Sequence, residues 1–365
     1  MLMLFFYNIK SQIATSSIPK LSVKKVSTPI TLEKQKNEYV ETLRGIAIIL
    51  VVLGHIIGST KLASMQVKDD SFLRFFYYSL EYIRIPLFTV ISGWVYANKP
   101  IVNKGDWPKF IKGKMRRLLI PMFVLSALMF LMRVIVPGTN LTPNLDRLHL
   151  ILFFPYDLYW YIYSLFIIFL FIIVIDTKAW FHQFHYWLFM VGVAACVSYA
   201  SHRFLDSVPN LFSFKGALFL LPYFLLGIGF FRYRHIILTK EHVLLVATTF
   251  IIGFGFQQFI WFSGMPHLSK GSALGFVVGA SATFLLFKFK FKNDFLKKIG
   301  GYAYSIYLFH LFFTGGARIA LHSIGIHNHF AILTLSLFAA IVGSIILEKL
   351  IMHSKPLRWF LLGLK

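Results

Sequence analysis

The chain has 365 residues, of which 57% are hydrophobic and 14% charged, and its formal net charge is +23. A soluble domain carries roughly 25% charged residues, and with a mean hydropathy of +0.70 one core cannot hide so much apolar surface, so lipid must solvate part of it. In a soluble chain this charge would point to nucleic acid; here the cations are scattered between apolar runs and form no single stripe, which argues against nucleic acid and fits the loops of a membrane protein.

Met1 to Tyr7 is apolar but too short for the core of a signal peptide, and no basic segment precedes it. Residues 8–40 are polar and Lys-rich, so 1–37 reads as a cytoplasmic tail. Ten stretches then have the roughly 20 mostly apolar residues of a membrane helix: 43–60, 77–97, 117–136, 158–175, 185–201, 214–231, 242–262, 271–288, 301–317 and 329–350. The linker at 176–184 is short and partly apolar. The single cysteine, Cys196, excludes an intramolecular disulfide, and its apolar surroundings predict a buried small hydrophobe. Residues 356–365 read as a second cytoplasmic tail. With the N-terminus inside, and with Arg117, Arg133, Lys215, Lys288 and Lys349 in the end turns counted with the adjoining segments, the alternating segments hold 26 Lys and Arg on the inner side and 9 on the outer, while Arg44 and Arg84 remain within spans. That imbalance predicts an all-α polytopic protein of the cell membrane, with about ten transmembrane helices and both termini cytoplasmic. Basic residues gather before the third span and after the eighth; topology accounts for them, and a bound polyanion at that rim is the sharper reading.

The first span reads Glu41-Thr-Leu-Arg44-Gly-Ile-Ala-Ile-Ile-Leu-Val-Val-Leu-Gly-His55. At about 100° per residue, eleven residues return to within about 20° of the starting direction, so Arg44 and His55 share a face, about 16 Å apart along the axis. Glu41 lies one turn before Arg44 and can pair with it. Ionisable groups inside a span are costly and mark functional sites; the bland readings are a packing histidine and an arginine that snorkels to the interface. Chemically, a histidine in a partly dry site can take a proton from a hydroxyl. An arginine near the rim can bind phosphate. Coenzyme A, with a phosphate-bearing head and a long thin arm, has the shape to bind one and reach the other.

At this point the chain resembles a known family. Arg44, ten residues, then His55 is similar to the signature of membrane acyltransferase family 3, which includes polysaccharide O-acetyltransferases, and the local text resembles its fucose 4-O-acetylase-like branch. Ile85-Pro-Leu-Phe-Thr-Val-Ile-Ser92-Gly93, Lys114-Met-Arg-Arg117-Leu-Leu-Ile-Pro121, Leu158-Tyr-Trp160-Tyr and Tyr302-Ala-Tyr304-Ser-Ile-Tyr307-Leu-Phe-His310 resemble further family motifs in the same order, within a domain at 38–355. The resemblance implies transfer of an acyl group, usually acetyl, from acyl-CoA to a sugar hydroxyl of a cell-envelope or exported glycan. It implies His55 as catalytic base or acyl relay, and Arg44 as the group that orients the donor or stabilises an oxyanion. Lys114, Arg116 and Arg117 would hold CoA phosphates, with acetyl-CoA as donor and no metal. Its partners would be a glycan or lipid-linked sugar, membrane lipids and glycan-synthesis machinery. Two departures stand out: Arg84 replaces a histidine often found before the second-span proline, and Lys114 with Arg117 replaces a common Arg-x-x-Arg.

Glu81 and Arg84, three residues apart, can form an ion pair or recognise the acceptor sugar. His310 can contact His55, meet the acceptor or pack between helices. Trp160 and Tyr159 read as an interfacial aromatic belt ahead of a sugar-stacking surface. His322, His327 and His329 fit no standard metal spacing. A transporter or glycan exporter is the competing class, since intramembrane Arg, His and Glu occur there too. A translocator of acyl groups is a third.

Overall fold

The computed structural model describes residues 37–365 apart from 141 and 179, so the expected N-terminal tail lies, but for residue 37, outside the described residues. These form helices and no strands. The chain is an all-α polytopic membrane protein, built from α1 (Glu38–Ile57), α2 (Phe72–Ser79), α3 (Glu81–Ala97), α4 (Lys104–Ile135, with a π turn at Met115–Leu119), α5 (Trp160–Thr177), α6 (Phe184–Phe204), α7 (Phe214–Arg232), α8 (Glu241–Ser263), α9 (Ala273–Phe289), α10 (Asp294–Gly301), α11 (Ala303–Ser323), α12 (His329–Met352) and α13 (Lys355–Leu362).

All ten expected stretches carry a helix, but among the described residues seven are long and apolar enough to cross a membrane. The number is eight if α9 and α10, bent by 118° at their junction, are one broken span. The difference is physical. α3 and α9 have 17 residues each, about 26 Å of helix against a core of about 30 Å. The second half of α11 is interrupted by Gly315, Gly316 and Arg318. Residues 356–362, within the expected tail, are helical, and the Gly363 carbonyl after them accepts a 3.0 Å bond from Arg116 Nε.

α1 forms because an apolar run follows two first-turn acids, Glu38 and Glu41, which suit the positive end of the helix dipole. It stops at Gly58, whose φ of 84° a side chain would resist. It is the hub of the fold: α3, α10, α11 and α12 all pack on it. Of its apolar window 67% is buried, against 17% for α8, which leaves most of α8 to lipid. The same peripheral logic corrects the expectation for Cys196. It is exposed on α6, because an apolar residue on an outer helix faces lipid and not the core.

Candidate active site

At the His55 end of α1 a cavity of about 260 Å³ opens. α1 and the turn after it supply Val51, Gly54, His55, Gly58 and Ser59; the next loop adds Ala63 and Ser64. Tyr77 comes from α2, Arg84 and Ile85 from α3, Asp157, Leu158 and Trp160 from the entry to α5, and Lys270 from the loop between α8 and α9. Arg74 fixes one edge of this wall: it donates to the Gly58 carbonyl and, over 3.1 Å, to the Val67 carbonyl. Two lining residues, Ser64 and Asp157, hold left-handed φ values of 50° and 52°. Such backbone is costly for a side-chain-bearing residue and is found where a site demands it.

His55 is half-buried on this wall, and its ring centre lies 5.3 Å from that of the fully buried His310. The Nδ1 of His310 meets the carbonyls of Ile306 at 2.9 Å and Tyr307 at 3.0 Å. Carbonyls only accept, so Nδ1 carries the proton and Nε2 is a lone pair. That Nε2 is buried without a hydrogen-bond partner. Two reciprocal bonds lock α11 to the cavity wall: Tyr307 donates to the Leu158 carbonyl at 2.5 Å, and Tyr159 to the Leu308 carbonyl at 3.0 Å. Just behind, Ser92 Oγ lies 3.3 Å from the Tyr161 hydroxyl.

Of the residues expected at the site, the cavity gathers His55, Arg84 and Trp160, and His310 stands directly behind His55. The other residues lie elsewhere. Arg44 shares the face of α1 but not the cavity; its Nη1 bonds the Glu41 carboxylate at 2.8 Å, as the one-turn spacing predicted. Lys114, Arg116 and Arg117 do not converge on one clamp. The Lys114 ammonium sits 3.6 Å from the Phe169 ring centre, Arg116 bonds the Gly363 carbonyl, and the Arg117 guanidinium lies 4.7 Å over Tyr304. All three are nevertheless at the Arg44 end, where Lys292 and Lys297 bond Glu38 at 3.2 and 3.1 Å. The ion pair open to Glu81 and Arg84 does not form; the Arg84 guanidinium instead lies 3.9 Å over the Tyr77 ring. Gly54 makes this possible, since a β-carbon there would strike the guanidinium.

Sequence reading missed Lys270, Asp157 and Tyr77. Lys270 stands alone as a cation in the 264–272 loop, and Asp157 is the lone acid of an aromatic run, 153–163; each was a visible oddity without a partner to give it meaning. In the structure Asp157 pairs with Arg133, and the Lys270 ammonium lies 4.8 Å from the Trp160 ring centre.

A family model described as an acyltransferase domain matches residues 37–349. No curated protein and no solved structure matches the chain.

Proposed function

The chain belongs to this acyltransferase family, and from that premise we propose that it is an O-acyltransferase of the cell membrane, which moves an acyl group, most simply acetyl, from acyl-CoA to a sugar hydroxyl of a cell-envelope or exported glycan. One observation carries the reading: a histidine in the last turn of α1 forms the wall of a polar cavity large enough for a sugar ring, backed by a second histidine with a free lone pair.

In this scheme the donor enters from the cytoplasmic side at the Arg44 end. Arg44, Arg116 and Arg117 offer guanidinium faces there, and charge-assisted bonds to phosphate are strong. Lys114, turned onto Phe169, contributes less to that grip. The thioester reaches along α1 over the roughly 16 Å to His55. The acceptor hydroxyl enters the cavity at the other end. His55 takes the hydroxyl proton as the oxygen bonds to the thioester carbonyl carbon, and returns it to the departing thiolate. His310 offers its free Nε2 lone pair to the His55 ring and so can orient it. The break between α9 and α10 is the observation that favours a carrier or acyl translocator instead, because carriers use discontinuous helices.

The test is purified protein in detergent with acyl-labelled CoA, with and without glycan acceptor, beside His55→Ala. General-base loss reduces rate by about 10²–10⁴-fold, so label transfer to glycan should drop at least a hundredfold. Undiminished transfer by the variant would sink the assignment. Glycan or acyl flux in vesicles without transfer would favour the carrier.

A further inference from the structure

We propose that the cavity beside His55 takes an acceptor that is itself anionic: a sugar bearing a carboxylate or phosphate close to the hydroxyl that is acylated. This rests on the acyl-transfer reading and narrows its acceptor.

The carrying observation is a charge imbalance. Arg84 and Lys270 both line the cavity, and no ion pair among the described residues involves either. The acid in the same wall, Asp157, is already engaged by Arg133. Arg84 is only 8% exposed, so its charge is largely removed from water. A buried guanidinium without a carboxylate is costly, and the cost falls when an anion shares its space. The two cations also feel each other. Lys270 is exposed, and the Arg84 charge disfavours its protonated form while that of Glu81 favours it. A bound anion would satisfy both.

The aromatic groups sharpen the geometry. Arg84 is held 3.9 Å over Tyr77, and Lys270 4.8 Å from Trp160. Each ring fixes a cation through its electron-rich face, so the charges are placed before a ligand arrives. The volume of about 260 Å³ leaves room for one sugar ring with its substituent. The donor is a poor occupant, because its phosphates would have to travel past the cations at the Arg44 end, about 16 Å away along α1. With the anion held by Arg84 and Lys270, a neighbouring hydroxyl of the same sugar is presented to His55. His55 then takes the hydroxyl proton, the ester C–O bond forms, the thioester C–S bond breaks, and the thiolate leaves with that proton.

The experiment needs no acyl donor. The full chain in detergent is titrated with methyl glucuronide, glucose 1-phosphate and neutral methyl glucoside, followed by tryptophan fluorescence, with Trp160→Phe to identify the reporter among the 7 tryptophans. At least one anionic sugar should bind roughly tenfold or more tightly than methyl glucoside, since a charge-assisted bond contributes about that factor. Lys270→Gln, in a loop where it does not threaten folding, should erase most of the difference, as should Arg84→Gln where it folds. Whichever anionic sugar binds better identifies carboxylate or phosphate as the group recognised. Equal binding of all three overturns the proposal, as does an advantage that survives both substitutions. So does inorganic phosphate binding as well as glucose 1-phosphate, or competitive displacement of the sugars by free CoA. Charge-selective binding with no acyl transfer under any condition would keep the anion site and remove only the acyl-transfer reading.

Discussion

His310 shows how much one side chain's surroundings can decide. Its Nδ1 is committed to the carbonyls of Ile306 and Tyr307, so its buried Nε2 can only accept, and the nearest ring is that of His55 at 5.3 Å. A histidine held by an oriented acceptor presents a defined nitrogen to its substrate, the role an orienting carboxylate plays in hydrolase triads. His310 is then a positioning residue. His310→Leu removes the acceptor and keeps the bulk, and kcat for acyl transfer should fall on the order of tenfold or more with little change in KM for the acceptor. His310→Gln, which restores an acceptor oxygen, should recover part of that loss. A KM effect of the same size, or no rescue by Gln, would make His310 a packing residue. Arg44 is different: its partner Glu41 keeps a buried second oxygen, Oε2, unbonded. The pair is half-satisfied within the protein, a state expected where a further partner binds.

Helix pairs hold these residues in register, and two devices recur. The first is reciprocal glycine contact. Gly93 on α3 faces the Phe224 carbonyl of α7, and Gly227 on α7 faces the Val90 carbonyl of α3; Gly45 and Gly300 do the same for α1 and α10. Backbones approach this closely only where no side chain intervenes, and small-residue contacts replace the hydrophobic drive that lipid removes. The second is buried charge. The Asp176 carboxylate at the end of α5 takes a bidentate pair of bonds from Arg232 of α7, at 2.7 and 2.8 Å, and a third from the Tyr96 hydroxyl of α3 at 2.9 Å. Removing one partner strands the other's charge, so Asp176→Ala should lower stability by about 3–5 kcal/mol. The loss would be seen as an earlier unfolding midpoint in detergent, with cavity binding at His55 retained in the folded fraction. A midpoint within error of the parent would show that the pair contributes nothing net. These glycine contacts were not legible in the sequence, because partners more than 100 residues apart leave no local pattern. Glu81 and Arg84 illustrate the reverse error. Their spacing permits a pair, yet the aromatic face of Tyr77 and the hollow at Gly54 offer Arg84 a better seat.

At the scale of the whole molecule the two ends of α1 differ in chemistry. The Arg44 end collects the clustered cations that the sequence located before the third expected span, now in the first half of α4, and after α9. The His55 end collects the cavity, built from helices and loops far apart in sequence. Helix positions, their apolar character and the placement of Arg44 and His55 on one helix were legible because each depends on periodicity within a single segment. The cavity was not, because Tyr77, Asp157, Trp160 and Lys270 meet only through folding. Which end faces the cytoplasm decides whether the donor and acceptor approach from opposite sides. The excess of Lys and Arg predicts that the Arg44 end faces the cytoplasm. The lone cysteine makes this measurable: in a Cys196→Ser background, Ser59→Cys at the cavity mouth and Lys109→Cys in α4 are each exposed positions at opposite ends. A membrane-impermeant maleimide should label Ser59→Cys in intact cells and Lys109→Cys only after permeabilisation. The opposite pattern would put the cavity on the cytoplasmic side and remove transfer across the membrane from the mechanism. Labelling of both in intact cells would place α1 to α4 outside the alternating arrangement that the charge distribution requires.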